Sequence, residues 1–297
     1  MQYEKKSVDV LGTQMSYIDE GVGDTILLLH GNPASSFIWR NIIPYLTPHA
    51  RCIAPDLIGM GDSGKLPNTG PSSYRFVDHR RYLDALYEKI DIGDRVVVVG
   101  QDWGSALAFD WAYRNQARTA GIVHTESIPC AWTRDEFPIP DDGLANFLAL
   151  RTNEGEAMIL NSNFFVEYTM PNGTLREYSE EEMDEYRRPF LDSGEARRAT
   201  LSWPREIPFE GHPADVDKII ASYADWLPDT DIPKLFIDAD PGFIVTGKIR
   251  KWVRQWSNQE VVTVKAKHFV REDAPEEVGR AIADWYSRTR KSICNSK

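Results

Sequence analysis

Short apolar runs ending in turns rich in glycine, asparagine or aspartate recur along the first half of the chain, and they alternate with amphipathic stretches. Val8-Asp9-Val10 and Met15-Ser16-Tyr17-Ile18 read as a leading hairpin that turns at Gly12-Thr13. Residues 25–29, 52–54, 96–99 and 120–126 are short and nearly continuously apolar, as parallel strands buried on both faces are. Between them, apolar positions at helical spacing predict a helix from Ser36 (Phe37, Ile38, Ile42, Leu46), a second over 75–89 and a third through 106–112. The pattern changes near Pro129. From about Ala131 to Pro213 there is no strand candidate, only amphipathic helices over 143–151, 156–163, 179–187 and 195–202, the third opening on a Ser179 capping box. Strands resume at 234–238 and 261–264. A last helix over 275–290 starts with proline and glutamates and ends in basic residues, with the chain fraying from about Lys291.

This alternation predicts an α/β fold, a mostly parallel eight-stranded sheet covered on both faces. Residues 1–130 and 214–297 would form the core, and 131–213 a helical cap inserted after the sixth strand.

Composition narrows the function classes. With 297 residues, 42% hydrophobic and 27% charged, the chain suits one large α/β domain with an insertion. The net charge of −11 argues against a nucleic-acid or anionic-membrane partner. No apolar stretch reaches the ~20 residues of a membrane helix, and the first residues lack a signal-peptide core. Cys52, Cys130 and Cys294 are widely spaced and fit free thiols of a reducing compartment, so a cytoplasmic location is expected. Neither a metal-ligand pattern nor a cofactor motif stands out.

The chemistry gathers at strand ends. After the valine run, Gly100-Gln101-Asp102-Trp103-Gly104 turns into the 106–112 helix, a strand–turn–helix carrying a nucleophile between two glycines. A carboxylate needs no base to be nucleophilic at neutral pH, but its ester needs a positioned water and a base to be cleaved. Asn32, Asp102-Trp103, Glu126 and His268 all follow predicted parallel strands, where open α/β sheets bind ligands. His268 is the natural base. Glu126 is placed to orient it, with Asp240 as the alternative acid.

These segments resemble the haloalkane dehalogenase family of α/β-hydrolases. The matching text includes His30-Gly31-Asn32, 55–61, Gly100-Gln101-Asp102-Trp103-Gly104, His124-Thr125-Glu126-Ser127 and the 268–273 segment. Along the cap and C-terminal half the chain is most similar to Renilla-type luciferases, through Asn163-Phe164-Phe165, the 201–208 segment and Asp240-Pro241-Gly242-Phe243. The resemblance implies an α/β-hydrolase fold with Asp102 as nucleophile, His268 as base, Glu126 as its acid, and Asn32 and Trp103 as N–H donors to a halide or developing anion. Phe164, Phe165, Trp203, Phe243 and Phe269 become candidate cavity-lining aromatics. The cap wording favours a luciferase that oxidises coelenterazine with O2 and no cofactor. The alternative is a haloalkane dehalogenase using water and releasing halide, or one site doing both. One segment departs from the luciferases: the early cap acids are altered here, and Asp141 or Asp142 is the candidate to stand in for them.

Overall fold

The computed structural model describes residues 3–139 and 142–294. Eight strands form one sheet in the order β1-β2-β4-β3-β5-β6-β7-β8. They are β1 (Lys6–Val10), β2 (Thr13–Glu20), β3 (Thr25–Leu29), β4 (Arg51–Pro55), β5 (Val96–Asp102), β6 (Thr119–Ser127), β7 (Lys234–Pro241) and β8 (Gln259–Ala266). The pairings of β1 with β2 and of β2 with β4 are antiparallel, and the rest are parallel. This is the sheet expected from the apolar runs. Val96, Val97, Val98 and Val99 of the central β5 are all buried, each contributing ~1.5–3 kcal/mol by leaving water.

The helices in chain order are α1 (Ile43–Leu46), α2 (Phe76–Ile90), α3 (Trp103–Arg114), α4 (Gly143–Leu150), α5 (Asn153–Ser162), α6 (Met170–Asn172), α7 (Glu180–Arg187), α8 (Arg198–Glu206), α9 (Ala214–Trp226), α10 (Gly247–Val253), α11 (Val270–Asp273) and α12 (Pro275–Cys294). Several depart from the sequence reading. The helix expected from Ser36 is a 3-10 turn, Ser36–Trp39, followed by the single turn of α1 with proline in its first turn. α9 and α10 lie where no helix was expected. α12 continues to Cys294 instead of fraying at Lys291, and 295–297 lie outside the described residues. The Ser179 capping box is present, with the Ser179 hydroxyl and the Glu182 carboxylate each accepting the other's backbone N–H.

The helices α4 to α8 sit between β6 and β7 and reach residues at the strands' carboxyl ends. The indole of Trp203 on α8 stacks on Trp103 at 4.7 Å between ring centroids. The Asn32 side chain donates to the Thr200 carbonyl at 3.1 Å, and the Phe269 backbone N–H donates to the Gly173 carbonyl at 3.0 Å.

The turn between β5 and α3 tolerates no added atoms. A Cβ on Gly104 would overlap the Leu29 and His30 carbonyls, one on Gly100 would overlap the backbone of Gly104 and Ser105, and one on Gly31 would strike the Asp102 carboxylate. Gly104→Ala is therefore expected to lower stability by about 3 kcal/mol. Urea denaturation should show a lower midpoint at unchanged slope.

Candidate active site

Asp102 ends β5 and immediately precedes α3 at φ +53°, a region that disfavours L-residues. Such a conformation costs of order 1–3 kcal/mol and persists only where neighbours enforce it. The Ser105 hydroxyl helps, donating to the Asp102 carbonyl at 2.5 Å and accepting the Ile128 N–H at 3.0 Å. The turn lifts the carboxylate off the sheet and leaves it at the N-terminus of α3, where backbone N–H groups favour negative charge. Its Oδ1 accepts the Asn32 backbone N–H at 2.8 Å. Burial pushes the Asp102 pKa upward, while His268, the backbone N–H groups of Trp103 and Asn32, and Arg271 pull it back down.

Glu126 reaches the site through an irregularity in the neighbouring strand. Gln101 pairs with Thr125 and Asp102 with Ser127, so Glu126 is the unpaired extra residue of a bulge, at φ +39°. Its carboxylate is buried. It accepts the Ile244 N–H at 2.8 Å, the Val245 N–H at 3.3 Å, and His268 Nδ1 at 3.1 Å. That last bond directs the other ring nitrogen, Nε2, at Asp102, 3.8 Å from Oδ2. Asp240, the alternative acid, lies elsewhere: its carboxylate is 70% exposed and faces Arg250 at 3.7 Å. The structure thus brings Glu126, and not Asp240, to His268.

Asn32 and Trp103 flank the carboxylate. One amide hydrogen of Asn32 goes to Thr200, which leaves the second. The Trp103 indole is held between Trp203 and Phe76, whose ring lies at 5.8 Å. The candidate aromatics divide. Trp203 stacks on Trp103, and Phe243 and Phe269 lie 5.8 and 4.9 Å from the His268 ring. Phe164 and Phe165 pack with Ile159, Leu160 and Leu201 in a small apolar cluster of the helical segment. Asp142 is exposed at the start of α4, and Asp141 lies outside the described residues.

The other histidines act as packing or loop groups. Burial lowers His30 to a pKa of about 4, so its neutral ring donates from Nδ1 to the Gly31 carbonyl and accepts the Leu57 N–H on Nε2. His124 is likewise lowered to about 4 and sits between Ser127 and Gln259. His79 stacks on Trp203.

A second layer of residues, not among those expected from the sequence, lies behind the site. The Gln101 amide donates to the His268 carbonyl and its oxygen accepts from Arg271, whose guanidinium lies over Trp39 at 4.2 Å. Next to it, Glu272 is buried among arginines. The available signal was the charged triplet Arg271-Glu272-Asp273, directly after the apolar pair Phe269-Val270. Among the described residues, no group of three or more His, Cys, Asp or Glu side chains is gathered as metal ligands would be, and no helix is long and apolar enough to cross a membrane.

Sheet order, the strained aspartate between strand and helix, and the buried acid–histidine pair together define an α/β hydrolase, and residues 24–165 match the family model described as alpha/beta hydrolase fold. The chain is 53% identical to a haloalkane dehalogenase of Sphingobium indicum over 97% of its length and 96% of the relative's. It is 42% identical to a coelenterazine h 2-monooxygenase of Renilla reniformis, over 97% of this chain and 92% of that one. The crystal structure of a haloalkane dehalogenase from Bradyrhizobium elkani superposes with a TM-score of 0.91 at 39% identity, covering 97% and 99% of the two chains. The chain belongs to the haloalkane dehalogenase family of α/β hydrolases.

The raised pKa of Asp102 has a consequence for stability. Its native state holds the proton more tightly than the unfolded chain does, so stability falls as pH rises from the ordinary aspartate value, ~3.9, through the raised one. Above that window the penalty of the buried charge is fully present; below it the penalty vanishes. Asp102→Asn keeps the shape and removes the charge. It should be more stable than the parent at pH 7 by of order 1 kcal/mol, with the two melting curves converging near pH 4 in thermal scans.

Proposed function

We propose that this protein is a haloalkane dehalogenase, which cleaves carbon–halogen bonds through an alkyl ester on Asp102. The observation that carries the reading is a largely buried aspartate in the nucleophile position, its side chain 15% exposed, faced by a histidine whose far nitrogen is held by Glu126. In this reading residues 131–213 form a cap over the site, the substrate is a small haloalkane, and water is the only co-substrate.

The residues divide the reaction into two half-reactions. Asp102 attacks the carbon carrying the halogen; the new C–O bond forms as the C–halogen bond breaks, and the halide leaves with the bonding pair. The second amide hydrogen of Asn32 and the Trp103 indole N–H receive it, donors that gain strength only as charge develops. His268 then takes a proton from a water that attacks the ester carbonyl. The backbone N–H of Asn32, already 2.8 Å from Oδ1, faces the oxyanion of that step. Collapse releases the alcohol and restores the carboxylate, and the proton on His268 passes to solvent. Glu126 keeps the imidazole in the tautomer whose Nε2 accepts.

The wording of the 131–213 segment favours coelenterazine oxidation as the first expectation. That ranking is reversed here. Similarity in the cap accompanies only 42% identity overall to the Renilla monooxygenase, against 53% to the Sphingobium dehalogenase, and both span nearly the whole chain. The luciferase reading is the second one, and the Trp203-bearing segment it shares is the feature that favours it.

Purified protein given 1,2-dibromoethane should release bromide. His268→Phe should lower turnover about 10²–10⁴-fold and leave an alkyl ester on Asp102 that peptide mass spectrometry detects. No halide release from any short haloalkane would overturn the assignment. Light from coelenterazine in air above a denatured control would establish the second reading. Because burial raises the Asp102 pKa, the acid limb of kcat/KM should lie above the ordinary aspartate range.

A further inference from the structure

His268 lies just beyond the sheet. β8 ends at Ala266, and the segment 267–273 that carries the base, a short loop running into α11, has its own fastenings. Most of them run to the cap. The Phe269 N–H donates to the Gly173 carbonyl at 3.0 Å, and Asp273 Oδ1 accepts the Leu175 and Arg176 N–H groups at 2.7 and 3.1 Å. Asp273 Oδ2 accepts the Lys267 N–H at 2.9 Å, which closes the loop on itself.

Glu272 joins three parts of the chain. Its carboxylate is fully buried and accepts both Arg40 Nη groups, at 2.6 and 2.8 Å, the Tyr186 hydroxyl at 2.5 Å, and Arg176 Nη2. Arg176 Nε donates to the Glu272 carbonyl at 2.8 Å. Glu182 on α7 accepts from Arg40 at 2.6 Å and from Arg176 at 2.7 and 2.9 Å, which completes the cluster. Arg40 follows β3 in the core; Arg176, Glu182 and Tyr186 belong to the cap. Removing one partner from so buried a charge cluster leaves the others uncompensated, so the arrangement is rigid.

The two half-reactions depend on this loop unequally. Ester formation uses Asp102, Asn32 and Trp103, which sit on β5, α3 and the turn after β3. Ester hydrolysis uses His268, and a displacement of about 1 Å is enough to slow a positioned group ~10²-fold. We propose that Glu272, with Arg176, is a positioning residue: the clamp between cap and loop sets where His268 stands over Asp102, so hydrolysis of the ester depends on it and formation of the ester does not. The proposal rests on the dehalogenase reading for its kinetic form and on geometry alone for its placement of the ring.

The test uses Glu272→Gln and, because a buried charge is lost there, Arg176→Met, which removes the Arg176 bonds to Glu272 and Glu182 and leaves those of Arg40 and Tyr186 to Glu272 in place. Rapid-quench halide release should give a burst with the parent's rate constant, followed by steady-state turnover at least ~10-fold slower. The ester on Asp102 should accumulate. The His268 Nδ1–H resonance, assigned by its loss in His268→Phe, should shift or broaden in both variants. Equal slowing of both half-reactions, or an unchanged ratio between them, would overturn the proposal. Should the parent release no halide, the dehalogenase reading falls and the resonance decides: displacement supports the clamp, and an unmoved signal in Arg176→Met refutes it.

Discussion

Burial of Asp102 at the carboxyl end of β5 raises the free energy of its ionised form, and much of the surrounding structure offsets that penalty. The N-terminus of α3, the Asn32 N–H and the imidazole edge of His268 all face the carboxylate. Bringing them so close requires a backbone turn at positive φ and three glycines whose missing side chains let β3, β5 and α3 touch. The valines of β5 anchor the turn from beneath. A looser strand could not hold an L-residue in that conformation.

The centre of the sheet was legible because burial on both faces leaves a mark, the four-residue apolar runs Ile26–Leu29 and Val96–Val99. The nucleophile and its donors were legible for a related reason, since Asp102-Trp103 and Asn32 follow these runs closely, whereas His268 follows the half-exposed β8. Glu126 was placed by the same logic, although the bulge that turns its carboxylate toward His268 has no signature in the residues themselves. It exists through a register shift between two strands. α9 was missed although Val216, Ile220 and Tyr223 make a buried stripe at helical spacing, α10 is only 7 residues long with Ile249 and Val253 buried, and the helix expected after Ser36 is broken into a 3-10 turn and the single turn of α1, which carries Pro44 in its first turn.

What the residues could not convey was pairing across distance. Gln101 and Arg271 are separated by 170 positions, and Arg40 and Glu272 by 232. Each reads locally as an ordinary polar residue, and only folding shows that they meet beneath the active site. The same gap explains the misplaced weight on the cap. Wording shared with the Renilla relative was taken as wording about substrate, yet Trp203 stacks on Trp103 and Leu201 packs with Phe165, so part of that text describes how the helices between β6 and β7 pack on one another and against α3.

The bulge at Glu126 sets a limit of another kind. Two carboxylates on adjacent parallel strands would ordinarily point to opposite faces or collide on one; the extra residue sets them apart by half a pleat and lets both face the same histidine from different sides. Removing the extra residue between Thr125 and Ser127 would restore regular pairing with Gln101 and Asp102 and take away the acid that orients His268. Insertions and deletions in this lineage should therefore concentrate in the loops and spare β6, and a sequence that lacks that one residue would keep the architecture of the family while losing its chemistry.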